Sequence, residues 1–343
     1  NQGKIFQVAG NGLEEISNKG MKWWFANYLP YKLTEDFPDF QLIDNPVIGV
    51  GCQSVFDNEN QMVFFAKKDY TLRKDIADVV TYAGGNKFKV NGVLEVELGN
   101  PAYFRDASWT ISYDPKSGGF ISYHDWHPDL MIPSKKTFMT IQKNGLWVHA
   151  DTCQSYCNFY GVDYPFEVEF ALHTQGQVNT LRNIMYFMEV YQYDPNCFDR
   201  FHVLDFNFDE AIVYNSEQCS GLLKMNLSPK NNAPLITQYP IINPGSVDIL
   251  YSKEEHKYRF NQFFDLTADR GEFNTNLRRT IFNTEPNGYI RNLNGGNLDY
   301  NKNELERKKF RHYKNIVFLR RNVSGDKNIV LSTALQMNLN SPR

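Results

Sequence analysis

Residues 111–130 read ISYDPKSGGFISYHDWHPDL and crowd His124 and His127 together with Asp114, Asp125 and Asp129 around Trp126. Imidazoles beside carboxylates could ligate zinc, and paired carboxylates could act as acid and base in glycoside hydrolysis. Spacing weighs on the metal. Along a continuous strand, Phe120, Ser122 and His124 share one face while Ile121, Tyr123, Asp125 and His127 share the other. Only a bulge, or a strand ending near Trp126 ahead of Pro128, brings both imidazoles to one ion. The ordinary reading is a pair of hairpin-end histidines.

Two more groups invite chemistry. His149, Asp151 and Cys153 alternate onto one strand face, with Cys157 beyond, but successive members of such a face sit roughly 7 Å apart, too far to share a metal without bending. The C-x3-C spacing is not that of a usual zinc knuckle, so buried free thiols are the favoured reading. Glu167 and Glu169 extend the set of carboxylates. Ser112-Tyr113-Asp114 ahead of Gly118 resembles the Asp-box turn of sialidase propellers. Here three residues, not one, separate aspartate from glycine, and Phe120 stands where a tryptophan is expected. A structural hairpin turn explains the same residues. No G-x-S-x-G elbow, P-loop or H-E-x-x-H occurs. A basic cluster, Lys308, Lys309, Arg311, Lys314, Arg320 and Arg321, reads as a solvated face or as a contact for an acidic protein partner.

The elements that must position these residues are mostly short strands. Turn chemistry recurs at Asn11-Gly12, Asp57–Asn60, Asn91-Gly92, Asp114-Pro115 with Gly118-Gly119, and Asn144-Gly145, each between apolar runs. Helical signals are few; LTEDF and KDIADVVTYA supply a turn or two. IFQVAGNGLEEIS and TFMTIQKNGLWVHAD echo each other loosely, as hairpins of a propeller or barrel do. The pattern predicts a mainly β chain, a β-propeller-like array of antiparallel hairpins over residues 1–215. An extended Asn/Pro-rich segment follows at 216–300, ordered against neighbours through Tyr239, Ile241, Phe263 and Phe264. A basic stretch and a C-terminal hairpin turning on Ser324-Gly325-Asp326 occupy 301–343. All three read as parts of one larger structural unit.

Composition bounds the function. The chain has 343 residues and a formal charge of −3, without the basic excess that grips nucleic acid. Aromatics make up 15% of it, which favours strands and large interfaces. No apolar run reaches the roughly 20 residues of a membrane span. Five cysteines make a sparse, odd set, read as reduced thiols of a protein assembled in a cytoplasm. The amino terminus has no signal-peptide pattern, and its start at Asn1 without an initiator Met suggests a piece of a longer polypeptide.

Several stretches, from residue 3 to 343, carry a resemblance: GKIFQVAGNGLEEIS, SWTISYDPKSGGFISYHDWHPDLMI, NGLWVHAD with YCNFYGVDYPFEVEF, KYRFNQFFDLTADRG, and ERKKFRHYKNIVFLRR with the terminal NSPR. In that order they resemble the tail nozzle (muzzle) proteins of short-tailed, crAss-like bacteriophages. The resemblance implies a structural virion protein: a propeller-containing subunit of a six-fold ring at the distal end of the tail. It implies contacts with its own copies and with other tail and ring proteins, and passage of genomic DNA without sequence-specific binding. It also implies virion localisation after assembly in the host cytoplasm, and no enzyme activity, catalytic residue, cofactor or metal. A conduit for DNA should have a neutral or acidic lumen. The rival is a carbohydrate-binding or glycan-hydrolysing tail propeller, in which Asp114, Asp125 or Glu167 converge with aromatics in one pocket. A zinc-stabilised fold is the third possibility.

Overall fold

The computed structural model describes residues 3–9, 12–73, 79–143, 145–149, 157–172, 180–194, 199–203, 206–215, 218–227, 246–252, 256–261, 263–267, 308–311, 314–320, 327–336 and 339–340. These form two compact units, one up to residue 149 and one from residue 157. Both are mainly β, with antiparallel sheets and no closed barrel.

The first unit opens with a hairpin of β1 (Phe6–Ala9) and β2 (Gly12–Glu15), then two short helices, α1 (Lys22–Tyr28) and α2 (Leu33–Asp36). There follow β3 (Gly51–Asp57), β4 (Met62–Lys68), β5 (Tyr70–Leu72), β6 (Val80–Gly84), β7 (Lys87–Val90), β8 (Leu94–Glu97) and β9 (Phe104–Asp106). It ends with β10 (Trp109–Asp114), β11 (Gly119–His124), β12 (Leu130–Pro133), β13 (Phe138–Gln142) and β14 (Gly145–Val148).

Its centre is a four-stranded antiparallel sheet in the order β11-β10-β4-β3. Five of the six β10 residues are buried, so both of its faces are covered. Trp24 and Phe25 of α1 cover one face, packing on Trp109 at 5.0 and 6.2 Å. Trp126 and the three-stranded sheet β12-β13-β14 cover the other, where Phe64 meets Phe138 at 5.0 Å. A second core joins Leu33, Phe37 and Phe40 to Phe88 and Val96 of the sheet β6-β7-β8. The expected turn chemistry holds its strands. Asp57 Oδ1 accepts the backbone N–H groups of Glu59 and Asn60, and Asn91 and Gly92 take φ of +51° and +71°, the left-handed region a tight hairpin needs.

Helix α1 is a departure from the sequence reading. Its aromatic sequence KWWFANY has strand-like propensity and its N-cap Met21 makes no capping bond, so tertiary burial of Trp24 and Phe25 decides the conformation.

The second unit contains β15 (Asn158–Phe159), β16 (Val162–Asp163), β17 (Phe166–Leu172), β18 (Thr180–Leu181), β19 (Ile184–Asp194), β20 (Asp199–His202) and β21 (Glu210–Tyr214). Beyond these lie β22 (Leu223–Leu227), β23 (Ser246–Ser252), β24 (Lys257–Phe260), β25 (Lys314–Arg320), β26 (Lys327–Gln336) and β27 (Leu339–Asn340). Nine strands make one sheet in the order β17-β25-β21-β22-β23-β24-β19-β20, with β26 also paired to β19. All these pairings are antiparallel except β22 with β23. One aromatic core fills it: Phe318 of β25 lies 4.7 Å from Tyr186 of β19 and 5.0 Å from Phe208.

The expected C-terminal hairpin is corrected here. Strand β25 pairs with β17 and β21, while β26 pairs with β19 along most of its length. Long-range burial of Ile316 and Phe318 outweighs the local turn signal. The described units also divide within the expected 1–215 segment, because β17 takes its partner from beyond residue 300. Residues 228–245 and 268–300, most of the expected irregular segment, lie outside the described residues, as do Tyr239, Ile241 and the 324–326 turn. Phe263 is fully buried against Phe260 and Phe310, and Phe264 is partly buried.

Candidate functional site

The HDWH stretch is where the sequence concentrates its chemistry, and the strand pairing sets what it can do. Strand β11 pairs with β10 through Thr110↔His124 and Ser112↔Ser122, but Tyr113 then pairs with Phe120. Ile121 is therefore an extra, bulged residue, and the expectation that Phe120 shares a face with Ser122 and His124 is corrected. Phe120 turns to the α1 side, 4.9 Å from Phe25, while His124 faces Phe64 at 5.2 Å and Trp126 at 5.4 Å.

The strand ends at His124, and the chain beyond it folds back. Thr110, the partner of His124, donates its hydroxyl to the Trp126 carbonyl at 2.6 Å and lies 3.3 Å from His127 Nδ1. His149 joins from the end of β14: its ring stacks on Phe138 at 4.6 Å and lies 4.7 Å from Trp126. Its Nε2 is 2.7 Å from the Thr140 hydroxyl. Three imidazoles thus surround Trp126, itself only 2% exposed, between the two sheets.

Burial dominates their electrostatics. It pushes the His124 imidazole down to about 4, with the neighbouring His149 and His127 adding to the effect. It also pushes His149 down to about 4 and lowers His127. All three are neutral at pH 7. His124 Nε2 is buried without a hydrogen-bond partner. Asp125 is pushed up to about 6 by the same loss of water. Among the described residues, no group of three or more His, Cys, Asp or Glu side chains is placed to hold a metal ion. Asp151 and Cys153 lie outside the described residues; Cys157 is half-buried and in no disulfide.

The carboxylates are placed as follows. Asp114 closes its own turn, accepting the N–H groups of Lys116 and Ser117 at 2.8 and 3.2 Å. It pairs with Gly119 at one end of the hairpin, whereas Asp125 follows His124 at the other. The four strand steps from Asp114 to Thr110, the partner of His124, alone span about 14 Å, so the two carboxylates belong to opposite ends of the hairpin and not to a glycosidase pair at roughly 5–9.5 Å. Asp129 is bound by Lys68 Nζ at 2.5 Å and accepts the Lys143 N–H at 2.9 Å. Glu167 and Glu169 lie on β17 in the other unit, where Glu169 accepts a hydrogen bond from the Tyr214 hydroxyl. The basic cluster is only partly a solvated face. Lys308 and Arg311 are exposed, but the Lys309 ammonium sits over the Phe264 ring at 4.2 Å, and burial lowers its pKa. Arg321 lies outside the described residues, as do the side chains of Lys314 and Arg320.

Two features escaped the sequence reading. One is a buried ion pair, Lys67 with Asp69 at 2.6 Å, both side chains fully buried. The other is the outer face of the sheet β12-β13-β14. Its register aligns Leu130, Ile141 and Leu146 in one row and Ile132, Met139 and Val148 in the next, an apolar array on the side facing away from buried Thr140. Leu146 and Val148 are 62% and 54% exposed. The signal was present: the runs LMI, FMTI and LWV lack the polar alternation of a strand with one wet face. No family model matches this chain, and no curated protein matches it in sequence.

Proposed function

We propose that this chain is a structural virion protein, a subunit of the nozzle ring at the distal end of a short phage tail. The observation that carries the reading is the uncovered apolar face of the sheet β12-β13-β14. An antiparallel sheet with a solvated face ordinarily makes that face polar, and an apolar one marks a contact surface. The hairpin β1-β2 adds a second such surface, with Phe6, Val8 and Leu13 on one side, 51%, 78% and 71% exposed. A ring built by one repeated head-to-tail contact needs two different surfaces on each subunit, and two different apolar surfaces support that.

The subunit is proposed to carry a propeller, which the four-stranded antiparallel sheet β11-β10-β4-β3 supports by having the strand count of a blade. The proposed partners are further copies in a six-fold ring and other tail proteins, with DNA passing through ungripped, and the proposed role is conduit and support without catalysis or cofactor. No helix among the described residues is long and apolar enough to cross a membrane.

The test is quantitative peptide mass spectrometry on gradient-purified virions, measured against the portal protein. A fixed ratio near one-half, roughly six copies to twelve, is the expected result for cyclic rings. Absence from the particles overturns the reading and returns attention to the glycan-active rival.

A further inference from the structure

We infer that the contact between the sheets β11-β10-β4-β3 and β12-β13-β14 is an acid-sensitive latch, with His124 and His149 as its proton-accepting groups. The inference concerns the isolated chain and stands apart from any role in a virion, so the two can fail separately.

The geometry has three parts. First, both imidazoles lie in the contact itself: His124 comes from β11 on one side and His149 from the end of β14 on the other, with Trp126 between them. Second, a proton added at His124 Nε2 arrives at a buried atom with no acceptor within reach. Third, the carboxylates described nearby are already engaged or held neutral. From β3, Asp57 faces His149, but its oxygens already accept the N–H groups of Glu59 and Asn60 and the Asn60 side chain. From β9, Asp106 faces His127 and accepts the Ser108 N–H. Asp125 is itself held towards its neutral form. Among the described residues, β4 and β13 contribute Phe64, Phe138, the Thr140 hydroxyl and the Gln142 amide, none of them an anion. Asp129, at the head of β12, is paired with Lys68.

The direction follows from linkage. A histidine ordinarily titrates near 6.5, and these two do so near 4 when the sheets are closed. The closed form is therefore fully favoured above about pH 6.5 and loses that advantage as pH falls toward 4. Between pH 7 and pH 5 each histidine multiplies the opening equilibrium by about 20-fold. Asp125, which keeps its proton up to about pH 6 when closed, works the other way and takes back about 10-fold. The net expectation is opening favoured by about 40-fold at pH 5 over pH 7. What opens is the smaller sheet, held also by the Lys68–Asp129 ion pair, by Gln53 bonds to the Pro128 carbonyl and the Met131 N–H, and by Asn58 to the Ser134 carbonyl.

Amide hydrogen exchange read by mass spectrometry, corrected for the intrinsic pH dependence, tests this on the unmodified chain. Peptides covering residues 130–148 should gain tens-fold in exchange between pH 7 and pH 5, while those covering residues 80–97 of the separate β6-β7-β8 core stay unchanged. His124→Leu, which fills the site with an apolar side chain that cannot titrate, should cut the gain about 20-fold. Unchanged protection at 130–148, or a uniform gain across both segments, overturns the latch. Should His124→Leu not fold at pH 7, the wild-type comparison still decides.

Discussion

Substituting Lys67 by methionine tests how far the first unit depends on one buried charge. The Lys67 ammonium donates to the Tyr28 carbonyl at 2.9 Å, the Pro30 carbonyl at 2.8 Å and Asp69 Oδ2 at 2.6 Å. Asp69 in turn accepts the N–H groups of Lys32, Leu33 and Tyr70. The pair thus pins residues 28–33, the link between α1 and α2, to the end of β4. Burial lowers the lysine pKa, and the Asp69 charge beside it opposes that loss. Methionine keeps most of the volume but leaves the buried Asp69 charge without its cation and takes the lysine donor from the Pro30 carbonyl, while the Tyr28 carbonyl keeps the Trp109 indole N–H. Removing one partner of a buried pair costs about 3–5 kcal/mol. For a unit of this size each kcal/mol moves the midpoint by roughly 2–4 °C, so the unit should melt roughly 6–20 °C lower.

The assay is unusually specific. All five tryptophans, Trp23, Trp24, Trp109, Trp126 and Trp147, lie in the first unit, so intrinsic tryptophan fluorescence during heating reports that unit's tryptophans alone. Adding Asp69→Asn to Lys67→Met should restore about 1–3 kcal/mol relative to the sum of the single changes, because the two sites are coupled. A midpoint shift below about 2 °C for Lys67→Met, or strict additivity in the double variant, would refute the reasoning.

Two further outcomes are expected. Phe318→Ala removes the ring packed against Tyr186, Phe208 and Phe260 and should cost the second unit about 3–5 kcal/mol, read from hydrogen exchange of peptides covering residues 184–194 in urea. Val148→Asp places a charge on the apolar outer face without touching the core; sedimentation should show loss of self-association with the melting midpoint held within a few degrees, and unchanged assembly would remove that face from the proposed interface.

What could be read in the sequence was what local chemistry controls. Asn91-Gly92 and Asp57–Asn60 close hairpins through their own backbone preferences and side-chain acceptors, so their strands are where the turns place them. Helix α1 was illegible because nothing local starts it; it is helical because Trp24 and Phe25 fit against Trp109 and Phe120. The bulge at Ile121 was illegible too, since neither ISYH nor its partner carries a glycine or proline to announce it. His124 and His127 could be weighed as ligands from spacing alone. Their convergence with His149 depends on how two sheets stack, which no single strand encodes.

The partnership of β17 with β25 also sets a timetable for synthesis. About 140 residues separate the end of β17 at Leu172 from the start of β25 at Lys314. At the usual 5–20 residues per second the ribosome takes roughly 7–28 s to deliver that partner. Until then β17, with Phe166, Val168, Phe170 and Leu172 on one side, waits with the edge that β25 will take unpaired. The described strands of the first unit find their partners among residues 6–148 and need no such wait. A nascent chain of this protein therefore carries a first unit whose described strands are already paired while its second unit is at its stickiest, and holding that edge apart from other chains is the task its early life sets for the cell.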